Sequence, residues 1–162
     1  MRQTVVMMAD STAPRIRTAR ADEIERLLEI QLRASLIWDA YREQLTAHPE
    51  VITLPAEQVT RGDVRVITDA DDRPVGFSAV INLGESIELD GLFVAPEHMR
   101  RGLGGALVGD VVARAGGTDA RRIDVTGQPG AVPFYERHGF RQTGEAETQF
   151  GPAPRLTLVL SH

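Results

Sequence analysis

From Leu92 to Leu107 the chain reads Leu-Phe-Val-Ala-Pro-Glu-His-Met-Arg-Arg-Gly-Leu-Gly-Gly-Ala-Leu. An apolar strand, an exit marked by Pro96, a basic glycine loop and the first turn of a helix follow one another. This order constrains the fold more than any other stretch. A strand that returns through a helix must run parallel to the strand that follows. Glycine lets backbone N–H groups crowd around an anion, and a helix N-terminus adds roughly half a positive charge. The segment therefore predicts a phosphate site at the end of a strand.

The rest of the chain supplies that strand with neighbours. Ile16 and Thr18 mark a short first strand. Asp22 is placed to cap a helix through Ile24, Leu27, Leu28, Leu32 and Leu36, at spacings of three and four. Trp38, Tyr41 and Leu45 suggest a second helical piece ending near His48-Pro49. Pro55 opens a short third one that Gly62 stops. Val64 to Ile67, Val75 to Leu83 and Ile87 to Val94 then read as strands separated by tight turns, which predicts an antiparallel meander. The helix starting near Gly102 ends at Gly116-Gly117, and Ile123 to Val125 is the strand parallel to the one ending at Val94. A short helix from Ala131 to His138, with His138 at an exposed end, precedes strands around Phe140 to Gly144 and Leu156 to Leu160. The expected fold is α/β (α+β), a mixed, mostly antiparallel sheet flanked by helices.

With 162 residues, 42% hydrophobic and 25% charged, the chain suits one globular domain and is too short for two. A net charge of −5 argues against a nucleic-acid protein, and Arg100-Arg101 is only a local basic patch. Cysteine is absent, which excludes disulfides, thiolate metal sites and cysteine nucleophiles; no metal is expected. Val5-Val6-Met7-Met8 is too short for a signal-peptide core, and no run approaches a membrane span. The expectation is a cytoplasmic domain over residues 14–162 behind a loose tail over residues 1–13.

Two common phosphate motifs fail on the glycine loop. A Walker loop requires Gly-Lys, and the chain has no lysine. A dinucleotide fingerprint requires a third glycine where Leu107 stands, and a strand near the start of its domain. The pattern resembles instead the GNAT superfamily of acetyl-CoA-dependent acyltransferases. Val94-Ala95-Pro96, Gly102-Leu103-Gly104 and Ala106-Leu107 fall in that family's strand, Val-x-Pro, Gly-x-Gly/Ala and Ala-Leu order. Downstream, Gln128 through Ala131, then Phe134-Tyr135 and Gly139-Phe140, look like its Asn-x-x-Ala-x-x-Phe-Tyr-x-x-x-Gly-Phe segment. Met99 stands where the family has Gln or Arg, and Gln128 where it has Asn.

The resemblance implies a splay between the two central parallel strands, acetyl-CoA as co-substrate, and a primary amine of a small molecule or peptide as acceptor. Direct attack in a ternary complex is then expected, without nucleic acid or membrane as partner; a homodimer is an expectation by analogy alone. Backbone N–H groups of Met99, Arg100, Arg101, Gly102, Leu103, Gly104 and Gly105 would surround the pyrophosphate. Leu92, Phe93 and Val94 would offer strand backbone to the thioester and its arm, and Gly91 is consistent with a β-bulge that re-aims it. Gln128 would border the cofactor. Tyr135, a neutral donor at pH 7, would stand beside the sulfur. Glu88 and Asp90, on one strand face, are candidate proton acceptors, with Glu88 slightly favoured and Asp90 close behind. Trp38, Tyr41 and Arg155 are candidates for the acceptor side. A CoA-binding sensor without catalysis is the alternative, kept open by Met99 and Gln128.

Overall fold

The computed structural model describes residues 14–161, and the tail expected over residues 1–13 lies outside them. β1 (Arg15–Thr18) leads into α1 (Ile24–Ser35), α2 (Asp39–Ala47) and the short α3 (Ala56–Thr60). Asp22 does not cap α1. A 3-10 turn over Ala21–Glu23 comes first, and Glu23 accepts the Arg20 N–H at 2.8 Å. That carboxylate also holds Arg17, which explains why Glu23 takes the position.

β2 (Val64–Thr68), β3 (Pro74–Asn82) and β4 (Ser86–Val94) form the expected antiparallel meander. α4 (Leu103–Ala115) then crosses over to β5 (Arg122–Thr126), which lies parallel to β4. α5 (Val132–Arg137), β6 (Arg141–Thr148) and β7 (Gly151–Val159) complete a seven-stranded sheet of order β1-β2-β3-β4-β5-β7-β6. The last hairpin is longer than the sequence suggested. Pro152 and Pro154 argue for a loop, but β5 ends opposite Arg155, and beyond it the Gly127 N–H donates to the Pro154 carbonyl at 2.9 Å, a contact that asks no donor of the proline. A strand whose neighbour stops short tolerates a missing donor.

Helices cover the sheet unequally. Leu103 and Leu107 of α4 pack on Ile67 and Val75, and Val108, Val111 and Ala115 pack with Ile87, Leu89 and Ile123. Tyr135 of α5 joins the same face with Phe140 and Leu156. On the other face, Leu27 and Ile30 of α1 and Val59 of α3 cover Val64, Val66, Phe77 and Ala79. Beyond β4 that second face carries polar residues, among them Asp124, Arg155 and Thr157.

Two irregularities shape the centre. Ala79 opposes Gly91 while Val80 opposes Leu89, so Asp90 is an extra residue on β4, a β-bulge. A Cβ on Gly91 would lie 2.9 Å from the Phe93 ring, which explains the glycine. The inserted residue brings Leu92 onto the α4 face with Leu89 instead of the opposite one. The second irregularity is the expected splay: β4 pairs with β5 only over residues 86–89, and its end has no neighbour on that side. Among the described residues no helix is long and apolar enough to cross a membrane, and no side-chain group is arranged to hold a metal.

Candidate active site

The free end of β4 opens one wall of a cleft. Ala95 donates its N–H to the Val75 carbonyl at 2.8 Å. Backbone groups alternate between the two edges of a strand. Leu92 and Val94 therefore turn theirs into the cleft, whereas Phe93 turns toward β3 and sets its ring 5.4 Å from that of Phe77.

Beyond Val94 a 3-10 turn, Pro96–His98, delivers the glycine loop. Arg100 at φ +65° and Gly102 at φ +78° are both left-handed, which curls successive N–H groups toward one side. The N–H groups of residues 100–105 find no protein acceptor among the described residues, and the first turn of α4 holds no acid. Met99 differs, because its N–H bonds to the Pro96 carbonyl at 3.3 Å. Gly104 and Gly105 serve packing as well. A Cβ on Gly104 would lie 3.2 Å from Phe134, and one on Gly105 only 2.8 Å from His138. Their bare backbones let α5 close on the start of α4. Arg33 of α1 anchors the turn from below through a two-point ion pair with Glu97, holding that carboxyl down at about 2.

Opposite the loop, Tyr135 is 7% exposed, its ring edge-on to Phe134 at 5.2 Å and Phe140 at 5.4 Å. Burial pushes the phenol up to about 12. Its hydroxyl has no protein partner among the described residues, yet it is not sealed from solvent; Ser78 alone carries a sealed, unpartnered hydroxyl there. Gln128 caps the turn Pro129–Ala131, its side-chain oxygen accepting the Gly130 N–H. Trp38 lies against that turn, where a Cβ on Gly130 would come within 2.7 Å of its ring. Tyr41 stacks on Phe150 of the β6–β7 turn, centroids 4.7 Å apart, and burial raises its phenol too.

A cavity of about 1450 Å³ connects these parts. Its lining includes Glu88 and Asp90, residues 92–94, Met99 and Arg100, Gly102 through Gly105, Gln128 and Tyr135, with Trp38 and Tyr41 on the far side. Arg101 and Arg155 are outside the lining. Arg101 leans on His98, Nη1 to Nδ1 3.4 Å, and Arg155 is engaged by Glu88 through both of its terminal nitrogens, at 3.1 and 2.8 Å. Asp90 makes no hydrogen bond or ion pair among the described residues. Phe134, Arg137, His138 and Glu147 also line the cavity, although the sequence did not single them out for it. His138 is exposed as expected, but its ring packs 4.7 Å from Phe134 beside the glycine loop. The spacing of three between Phe134 and Arg137 and of four between Phe134 and His138 was the available signal.

The family model of the acetyltransferase (GNAT) domain matches residues 36–151, and the chain belongs to that family of acetyltransferases. No match is found among curated proteins. Among solved structures, the chain is similar to the PaiA N-acetyltransferase from Thermoplasma acidophilum in complex with coenzyme A. The TM-score is 0.74 at 15% identity, covering 91% of this chain and 99% of that one. A GNAT family acetyltransferase from Elizabethkingia anophelis with acetyl-CoA bound gives a TM-score of 0.66 at 18% identity, covering 91% and 98%. The apo form of YjaB from Escherichia coli gives 0.63 at 25% identity, covering 91% and 97%.

Proposed function

We propose that the chain moves an acetyl group from acetyl-CoA to a primary amine of a small molecule or peptide, by direct attack in a ternary complex. One observation carries the reading. Arg100 and Gly102 through Gly105, whose N–H groups are unpartnered among the described residues, line the same cavity as Tyr135 and the free end of β4. A pyrophosphate suits that row, since it brings acceptors in number and the charge that a helix N-terminus favours. Met99 and Gln128 would border the bound cofactor, while Arg100 and Arg101 add positive field.

Each remaining demand of amide formation has a candidate group. The backbone of Leu92 and Val94 faces the cleft with N–H and C=O free for the cofactor arm. An N–H aimed at the thioester oxygen stabilises the charge that develops there, an effect worth about a hundredfold or more. Tyr135 keeps its proton at any physiological pH and donates to the leaving sulfur. A carboxylate of β4, Glu88 or Asp90, takes the ammonium proton. Trp38, Tyr41 and the Phe150 turn enclose the acceptor. The chain lacks cysteine, so no thiol carries the acetyl group between donor and acceptor.

Thermal-shift titration with acetyl-CoA, followed by an amine panel read through free-thiol release, tests the reading. A raised melting temperature and amine-dependent thiol are expected. No shift at saturating acetyl-CoA removes the binding claim, and a shift without thiol from any amine removes the transfer claim.

A further inference from the structure

The two acids of β4 differ sharply in freedom. Glu88 gives both carboxylate oxygens to Arg155, Oε2 at 3.1 Å from Nη1 and Oε1 at 2.8 Å from Nη2. Arg155 is itself fixed from β5, donating to Thr126 Oγ1 at 3.0 Å and lying 3.7 Å from Asp124 Oδ2. Asp124 accepts from Thr157 at 2.6 Å and from Arg122 at 3.0 Å, so the cluster ties β4, β5 and β7 together on the face opposite α4 and α5. A proton arriving at Glu88 must displace a guanidinium hydrogen already held there.

Asp90 is the extra residue of the bulge, exposed and without a protein partner among the described residues. All acceptor positions of its carboxylate remain open to water or an ammonium. It stands two residues beyond Glu88, roughly 7 Å along the strand, and so closer to Leu92 and Val94. Both acids line the cavity; only one is free to work.

We propose that Asp90 takes the proton from the acceptor ammonium and that Arg155 is a positioning residue, holding Glu88 out of proton transfer. The inference rests on the acetyl-transfer reading above. Its balance is simple. The nitrogen gives one proton to Asp90, directly or through one water, and Asp90 passes it to solvent. The lone pair forms the C–N bond as the C–S bond breaks. The second nitrogen proton replaces the one that Tyr135 gives to the departing sulfur.

The test compares Asp90→Asn, Glu88→Gln and the double variant Asp90→Asn/Arg155→Gln, using the best amine from the panel. Acetyl-CoA thermal shift monitors folding and cofactor binding, and Asp90→Ser stands in if the asparagine variant fails to fold. Loss of a general base lowers kcat by about a hundredfold or more. Asp90→Asn is expected to do so with the amine KM within a few-fold. Glu88→Gln is expected to cost less than about tenfold, well under the general-base effect. The double variant is expected to regain about tenfold over Asp90→Asn, because Glu88 is released to take over part of that effect. Loss of a structural contact would not restore activity. Glu88→Gln falling as far as Asp90→Asn, or a double variant no better than Asp90→Asn, overturns the inference. If wild type binds no acetyl-CoA or acetylates no amine, the transfer reading itself fails and this inference falls with it.

Discussion

Tyr135→Phe removes one oxygen atom, and two independent quantities should respond. At neutral pH the hydroxyl has no protein partner to lose, so folding stability should change by less than about 1 kcal/mol. Turnover should fall by about a hundredfold to ten-thousandfold, the usual contribution of a positioned proton donor. The alkaline range gives the second quantity. Burial holds the folded phenol at about 12, against an ordinary value of 10. Below pH 10 the group is protonated in both states and its contribution is intact. Between pH 10 and 12 the unfolded chain ionises while the folded one keeps its proton, so stability falls, by an amount on the order of 3 kcal/mol at about 1.4 kcal/mol per pH unit. The window is unusually clean, because the chain has no lysine, no cysteine and only two tyrosines. Urea denaturation at about pH 9 and about pH 11, with Tyr41→Phe as control, reads the difference. Wild type should lose stability across the window, and Tyr135→Phe should lose distinctly less. An equal loss in both would refute the buried phenol. Unchanged kcat would take the hydroxyl out of the transfer step.

Gly102→Ala puts a methyl into open space at φ +78° and should cost about 1–2 kcal/mol through the left-handed backbone alone, seen as a lower denaturation midpoint. Gly105→Ala drives a Cβ to 2.8 Å from the His138 ring and should turn that exposed ring out of its place beside the glycine loop, at a smaller cost in denaturation midpoint than Gly102→Ala. Arg33 holds the Glu97 carboxyl below its usual range, so this pair stabilises the fold above the ordinary glutamate value and loses that effect as pH falls toward about 2. Arg33→Ala should therefore flatten the acid limb of a stability-versus-pH curve, and an unaltered limb would deny the pair any role. Phe150→Ala removes the ring that Tyr41 stacks on and should raise the acceptor KM with little change in acetyl-CoA affinity; a converse split would relocate the acceptor side.

The meander, the crossover and the parallel pair were legible because short turns and one intervening helix leave few ways to connect strands. The loop's glycines were legible as a phosphate feature, but their individual reasons were not. Gly102 answers to its backbone angle, whereas Gly104 and Gly105 answer to Phe134 and His138, residues some thirty positions downstream whose approach no local pattern encodes. The outer half of the β6–β7 hairpin escaped notice because prolines argue against strands unless the neighbour is known to stop short. Glu88 and Asp90 looked equivalent by alternation; what separates them is Arg155, 67 residues away from Glu88. Long-range pairing of charges was the part of the candidate site that the sequence could not reveal.

The unpaired stretch of β4 has one more consequence. A seven-stranded open sheet has two outer edges, β1 and β6, and this one has a third inside the fold. An apolar strand edge carrying Leu92 and Val94 would invite aggregation if it lay on the outside. Here that edge faces a cleft whose lining also includes Trp38, Tyr41 and Phe150, with Tyr41 packed on Phe150. Aromatic rings sharing the cleft with an apolar edge limit what can pair with it, so truncating them is expected to raise aggregation before it disturbs the packed core.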